Sequence, residues 1–333
     1  MTSPSRPAGQ LAWSRDGTGA VRLGAAVGWL GLVTAVGMFV VLIAGATVTS
    51  TGSARGCGGD WPLCNGRFVP EFAITTAIEY THRLITGIEG VLVVALAAGL
   101  LWLYRSRVVA RVLAVLLVGS VILQAGMGAW AVVQPQQPVV LALHFGFSLI
   151  AFAAAILAAI SARWPGRMLV AGQAPTSVRT ATWAVMGYLY ALIYTGAYIR
   201  HAAAAFACPS WPLCGGGPAP MWALALNLTH RTGAVLALLL GLGLALLYRA
   251  AAPGRRDLVA GAWLFIAALV LQGLAGAYLV LSRWTLYGEL LHAGITALVF
   301  AAVAYLCFRV TLRPVRERPA EPAGTRMERE AAI

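Results

Sequence analysis

The chain has 333 residues, 60% of them apolar and 11% charged, with a mean hydropathy of +0.79 and a formal net charge of +13. A soluble domain carries about 25% charged residues, so this composition excludes a water-soluble enzyme, a disordered chain and a fibrous protein. All 24 basic residues are arginine, and where they sit decides whether the surplus addresses nucleic acid or a membrane.

A helix that crosses about 30 Å of hydrocarbon needs about 20 apolar residues. After an N-terminal tail, 1–23, the charge-free runs predict eight spanning helices at about 24–49, 78–104, 108–132, 139–162, 179–200, 227–249, 257–281 and 287–309, followed by a tail, 310–333. The long run from Val112 to Ala162 must hold two of them, because Gln134-Pro135-Gln136-Gln137-Pro138 is a turn signal. The first is too long for a signal-peptide core and reads as a retained span. Eighteen of the 24 arginines lie in the N-terminal tail, in the loops after helices two, four and six, or in the C-terminal tail. The positive-inside rule makes that side cytoplasmic. Both termini are then inside, and loops 50–77, 133–138, 201–226 and 282–286 outside. The surplus is a membrane address, and nucleic acid drops out as a partner.

Along the chain, the first external loop holds Cys57 and Cys64, and helix two carries Glu79, His82, Arg83 and Glu89. His144 follows on helix four. After the linker 163–178 the landmarks return. Trp61-Pro62-Leu63-Cys64 recurs 150 residues later as Trp211-Pro212-Leu213-Cys214. Thr81-His82-Arg83, Gln124 and Leu143-His144 recur 148 residues later as Thr229-His230-Arg231, Gln272 and Leu291-His292. Landmarks in one order at nearly one offset indicate an internal duplication. Four helices per copy is an even number, so the copies share one membrane orientation. The expected architecture is an all-α polytopic membrane protein of two parallel-repeat four-helix bundles, N-in/C-in, with units 24–162 and 179–309.

Four of the five histidines fall inside predicted helices. His82 and His144 lie about 8 Å below the outer surface, and His230 and His292 repeat the placement. Two imidazoles at one depth on facing helices can clamp a planar metal macrocycle from both sides, which points to heme iron. A pair per bundle lacks the third and fourth ligands that zinc needs. His201, at the start of an external loop, reads as solvated. Arg83 and Arg231 each follow a histidine and can pair with heme propionates or snorkel to the interface.

The copies differ at carboxylates. Glu79 is one turn before His82, and its counterpart is Asn227; a carboxylate there suits general acid–base work, or else only partners Arg83. Glu89 and Glu289 correspond to Ala237 and Leu141, and each is either a proton-path or propionate-side group or satisfied by a helix neighbour. Cys57 with Cys64, and Cys208 with Cys214, are expected to be disulfides outside the cytoplasm, with redox activity as the sharper alternative. No C-x-x-C-H occurs, so covalent heme attachment is not indicated. Cys307 reads as packing.

Glu79-Tyr80-Thr81-His82-Arg83, the cysteine pair before it, His144, and the recurrence Thr229-His230-Arg231 with His292 resemble the heme A synthase family of bacteria and mitochondria, over about residues 24–309. That resemblance implies oxidation of the C8 methyl group of heme O to the formyl group of heme A, the cofactor of terminal oxidases. It implies that His82 and His144 hold the substrate heme, that Glu79 is the catalytic carboxylate, and that His230 and His292 hold a b-type heme as electron-transfer cofactor. Heme O synthase would hand over the substrate, with the quinone pool a candidate electron acceptor. The alternative is a di-heme b-type electron carrier acting with quinone, and the Glu79/Asn227 difference favours the enzyme. A transporter would place polar residues near the midplane, whereas these histidines lie near the outer face.

Overall fold

The computed structural model describes residues 18–134, 137–164, 172–215 and 218–312. Most of the two expected tails and the middle of the linker lie outside them. The described residues form eight long helices: α1 (Thr18–Ser50), α2 (Ile74–Tyr104), α3 (Val108–Val133), α4 (Pro138–Arg163), α5 (Thr176–His201), α6 (Met221–Ala251), α7 (Arg256–Leu281) and α8 (Leu286–Thr311). A short 3₁₀ helix, Ala204–Ala207, follows α5, and the described residues contain no strand.

Seven of the eight helices are long and apolar enough to cross a membrane; α5 falls short on composition. The reason is internal. Its polar side chains are used against its neighbours: Thr182 Oγ1 meets the Tyr248 hydroxyl at 2.8 Å, and the Tyr188 hydroxyl donates to the Gly233 carbonyl at 2.8 Å. Polar groups satisfied between helices are tolerated in a membrane bundle. The chain is a multi-pass membrane protein.

The helices sort into two rings. In the first, α1 packs on α2, α2 on α3, α3 on α4, and α4 returns along α1. Helices α5 to α8 close in the same way, and the rings join through α1, α4, α5 and α8. Small residues permit the closest approaches. Cβ atoms at Gly28 and Gly31 would lie 2.9 Å and 2.8 Å from the Arg163 and Ala159 Cα atoms of α4. Corresponding residues also make corresponding contacts across the join. Phe39 of α1 stacks on Phe152 at 5.8 Å and closes on Gly294, while Tyr190 of α5 stacks on Phe300 at 5.9 Å and closes on Gly146. At the opposite end from the histidines, Arg255 and Arg309 both bind Asp257, and Arg255 also donates to the Gly172 carbonyl.

Most helix ends lie within three residues of their predicted positions, but α1, α2 and α6 begin four to six residues early. For α2 the reason is visible. Thr76 Oγ1 donates to the Gly56 carbonyl at 2.7 Å, so the external loop covers a polar first turn. Gly56 lies directly on the Thr75 backbone, where a Cβ would overlap. This corrects the position read for His82, which is eight residues into α2, about 12 Å along it. His144 is six residues into α4, about 9 Å along it.

Candidate functional site

His82, His144, His230 and His292 each pack against a glycine on the preceding helix. A Cβ at Gly45 of α1 would lie 3.2 Å from His82 Cε1, and one at Gly128 of α3 would lie 3.4 Å from His144 Cε1. In the second ring the equivalent distances are 2.6 Å from Gly196 to His230 and 3.3 Å from Gly276 to His292. A missing side chain therefore makes room for every imidazole. His82 lies close enough to His144 for an electrostatic interaction, and His292 is coupled to His230 in the same way. The fold thus brings His82 near His144 and His230 near His292. Among the described residues, no three His, Cys, Asp or Glu side chains converge as a metal site.

The two pairs differ in what holds them. Thr195 Oγ1 spends its proton on the Leu192 carbonyl at 2.7 Å and lies 3.1 Å from His230 Nδ1. It must then accept from an Nδ1–H group, which leaves Nε2 of His230 with a free lone pair. Gln272 Nε2 contacts both ring nitrogens of His292, at 3.2 Å and 3.1 Å, and donates to Thr296 Oγ1 at 2.7 Å. In the first ring, Gln124 Oε1 instead accepts from Ser148 Oγ at 2.7 Å. The Nδ1 atoms of both His82 and His144 are buried without a hydrogen-bond partner. Half-buried imidazoles, two of them with a buried and unsatisfied Nδ1 and each in a cradle that a Cβ would narrow, fit a metal macrocycle held from two sides.

The glycine cradle is testable. Gly196→Val would drive a branched side chain into the His230 ring, and any heme held between His230 and His292 is expected to be lost while the protein still inserts and purifies. Absorption spectra and heme content of the purified variant measure this; undiminished heme would show that the cradle does not matter.

Above the first ring, Glu79 is buried at 3% exposure and held at both oxygens. Oε2 accepts from the Cys57 backbone N–H at 2.9 Å, and Oε1 accepts from Arg83 Nη2 at 2.6 Å. Arg83 Nη1 also donates to the Asp60 and Leu63 carbonyls, each at 2.8 Å. Arg231 does the same in the second ring, donating to Ser210 and Pro212 from Nη1 and to Cys208 from Nη2. Each arginine thus clasps a loop closed by a disulfide, Cys57–Cys64 or Cys208–Cys214. The sequence missed this role, although an arginine recurring with the Trp-Pro-Leu-Cys loop in both copies was its signal. Asn227 reverses the polarity of Glu79: its Nδ2 donates to the Ala204 and Ala223 carbonyls at 2.9 Å and 2.8 Å.

The remaining groups fall in three places. Glu289 pairs with Arg200 at 2.6 Å, and Arg200 also donates to Ser50 Oγ, so the start of α8 and the C-terminal ends of α5 and α1 are tied together. His201 is the last residue of α5, half-buried, and interacts electrostatically with Arg200 and His144. The solvated reading is corrected: bundling carries the outer end of α5 beside the first ring. Glu89 is buried at 4% exposure, deeper in the α1–α2 seam, and its Oε1 has no partner. Cys307 is a free, buried cysteine whose Sγ lies 3.8 Å from the Thr182 carbonyl.

Comparison with known proteins adds lineage to this geometry. The sequence profile of the COX15-CtaA family, described as cytochrome oxidase assembly protein, matches residues 70–304. The heme A synthase of Symbiobacterium thermophilum is 37% identical over 297 residues, which is 86% of this chain and 95% of that protein. Heme A synthases of Bacillus cereus and Bacillus anthracis are also 37% identical, over 309 and 305 residues, covering 88% of this chain and 96% of each relative.

Proposed function

The chain belongs to the COX15-CtaA family of cytochrome oxidase assembly proteins, and from that premise we propose that it makes heme A in the bacterial cell membrane. It is an oxidoreductase that converts the C8 methyl group of heme O to a formyl group. Two successive two-electron oxidations separate a methyl from an aldehyde; with one water as the source of the formyl oxygen, four electrons and four protons must leave the site.

The observation that carries this reading is the asymmetry between two otherwise matched rings. Both have a histidine pair, a glycine behind each imidazole, and an arginine under a disulfide loop. At the matched position one turn before the first histidine of each pair, the first ring has a buried carboxylate, Glu79, and the second a buried amide, Asn227. A pure electron carrier would have no use for that difference.

In the proposed assignment, unit 24–162 takes substrate and unit 179–309 takes a resident cofactor, as parallel repeats with both termini in the cytoplasm. His82 and His144 hold the iron of heme O, and His230 and His292 hold that of a b-type heme. When bound, the b-type heme supplies one-electron transfer away from the first ring. Glu79 receives a proton released as the methyl group is oxidised. Its two hydrogen bonds keep the carboxylate on one bearing, so the proton acceptor is positioned before substrate arrives. Arg83 and Arg231 seal the loops over each ring, and with three hydrogen bonds made by each guanidinium, of the five it can donate, they keep donors for a propionate. Heme O synthase supplies the substrate, and the quinone pool is the proposed electron sink.

The test is to purify the protein from cells that also make heme O and to identify its extracted hemes by mass. Expected are b-type heme together with heme O, its alcohol intermediate or heme A. Recovery of b-type heme alone would favour the di-heme electron carrier instead.

A further inference from the structure

Below the histidine level, the two rings part again. His82 and Glu89 are seven residues apart on α2, which places Glu89 on the same face about 10 Å deeper. Gly45 and Gly37 of α1 face them in turn, and a Cβ at Gly37 would overlap the Glu89 carboxyl group. The α1–α2 seam is therefore a ladder of two levels, an imidazole against one glycine and a carboxyl against another. One helical turn from Gly37, Thr34 is fully buried and its Oγ1 also has no partner.

The second ring closes the equivalent level. Aligning Gly45-Ala46 with Gly196-Ala197 places Val185 opposite Thr34 and Tyr188 opposite Gly37, and Ala237 stands where Glu89 does. Tyr188 fills the seam and satisfies its hydroxyl on the Gly233 carbonyl. The first ring thus keeps two unsatisfied polar side chains at a depth where the second has an apolar, fully bonded seam. A buried carboxyl without a partner is costly in hydrocarbon, and a ligand that supplies the partner removes that cost.

We propose that Glu89 recognises the hydroxyl group on the hydroxyethylfarnesyl chain of heme O, and so selects heme O over heme b for the first ring. This rests on the assignment of that ring to substrate. Heme O differs from heme b in that one vinyl group is replaced by this chain, and the hydroxyl is the only hydrogen-bonding group the replacement adds. The chain leaves the macrocycle at the edge opposite the propionates. Charged propionates stay at the outer, aqueous end, so the substituted edge points inward, toward the level of Glu89. A carboxyl oxygen there accepts from the hydroxyl, and heme b, lacking it, leaves the carboxyl unpaired. Sites built on a buried polar partner discriminate strongly against an analogue that lacks the matching group.

The experiment compares the wild type, Glu89→Ala and Glu89→Gln, each purified from cells making both heme b and heme O. Extracted hemes are quantified as the ratio of heme O, its alcohol and heme A to b-type heme. Glu89→Ala is expected to lower that ratio by about tenfold or more, with the b-type spectrum of the second ring retained as the sign of intact folding. Glu89→Gln, whose amide still hydrogen-bonds, is expected to stay within about threefold of wild type. An unchanged ratio in Glu89→Ala overturns the proposal; if heme A formation were lost at the same time, Glu89 would be a proton-transfer group instead. Loss of the second-ring heme in both variants would make Glu89 a structural residue and overturn it too. A wild type holding b-type heme alone would overturn the substrate assignment along with it.

Discussion

Glu79→Gln is expected to stop heme A formation while the protein still binds heme O and b-type heme. The glutamine has nearly the shape of the glutamate but cannot take up a proton. Positioned acid–base groups contribute about 10²- to 10⁴-fold in rate, so heme A per purified protein should fall by at least about a hundredfold and heme O should accumulate in the site. The substitution also places an amide between two donors, the Cys57 N–H and Arg83, and only its carbonyl oxygen can accept from either. Loosening of the first loop is therefore a second expected consequence, and heme O retention separates the two effects. Quantifying the extracted hemes checks both. Undiminished heme A in this variant would reduce Glu79 to a clasp for the Cys57–Cys64 loop.

His230→Ala and His292→Ala are each expected to remove the tightly held b-type heme from the second ring. In each, one of the two residues proposed to hold the iron is replaced by a methyl group, and the glycine behind it, Gly196 or Gly276, offers no side chain in its place. The reduced-minus-oxidised spectrum should lose its b-type band almost entirely, while heme O binding at His82 and His144 persists. A full b-type spectrum in either variant would contradict the assignment of the pair. Heme A formation should fall as well, because electrons leaving the first ring lose their proposed relay.

The helices were legible in the sequence for a simple reason. A charged side chain at the centre of a bilayer costs several kcal/mol, so each span is written as a local run, readable without its neighbours. Where that rule weakens, the reading drifted. α5 carries Tyr188, Thr195 and Arg200 because its polar groups bind within the bundle, and α2 starts early because the external loop hydrogen-bonds its first turn. The histidines were legible as four ionisable residues inside apolar runs, and the duplication supplied their pairing.

Their surroundings were not legible. Gly45, Gly128, Gly196 and Gly276 are four among 37 glycines, and only the packing of α1, α3, α5 and α7 singles them out. Arg83 and Arg231 were visible beside histidines, but that their guanidinium groups hold loop carbonyls some 20 residues earlier depends on how each loop folds back. His201 looked like a loop residue until α5 was placed beside the first ring.

The sequence by itself determined an all-helical membrane chain, its duplication, its two histidine pairs and the carboxylates, Glu79, Glu89 and Glu289, that break their symmetry. These depend on local hydrophobicity and on repetition, both properties of the chain alone. Only the tertiary structure decided which glycine faces which imidazole, that Glu79 is clamped between a loop amide and an arginine, and that Glu89 lacks a partner where Tyr188 has one. Such facts belong to seams between helices, where the atom opposite a side chain is set by packing and register and not by its neighbours in sequence.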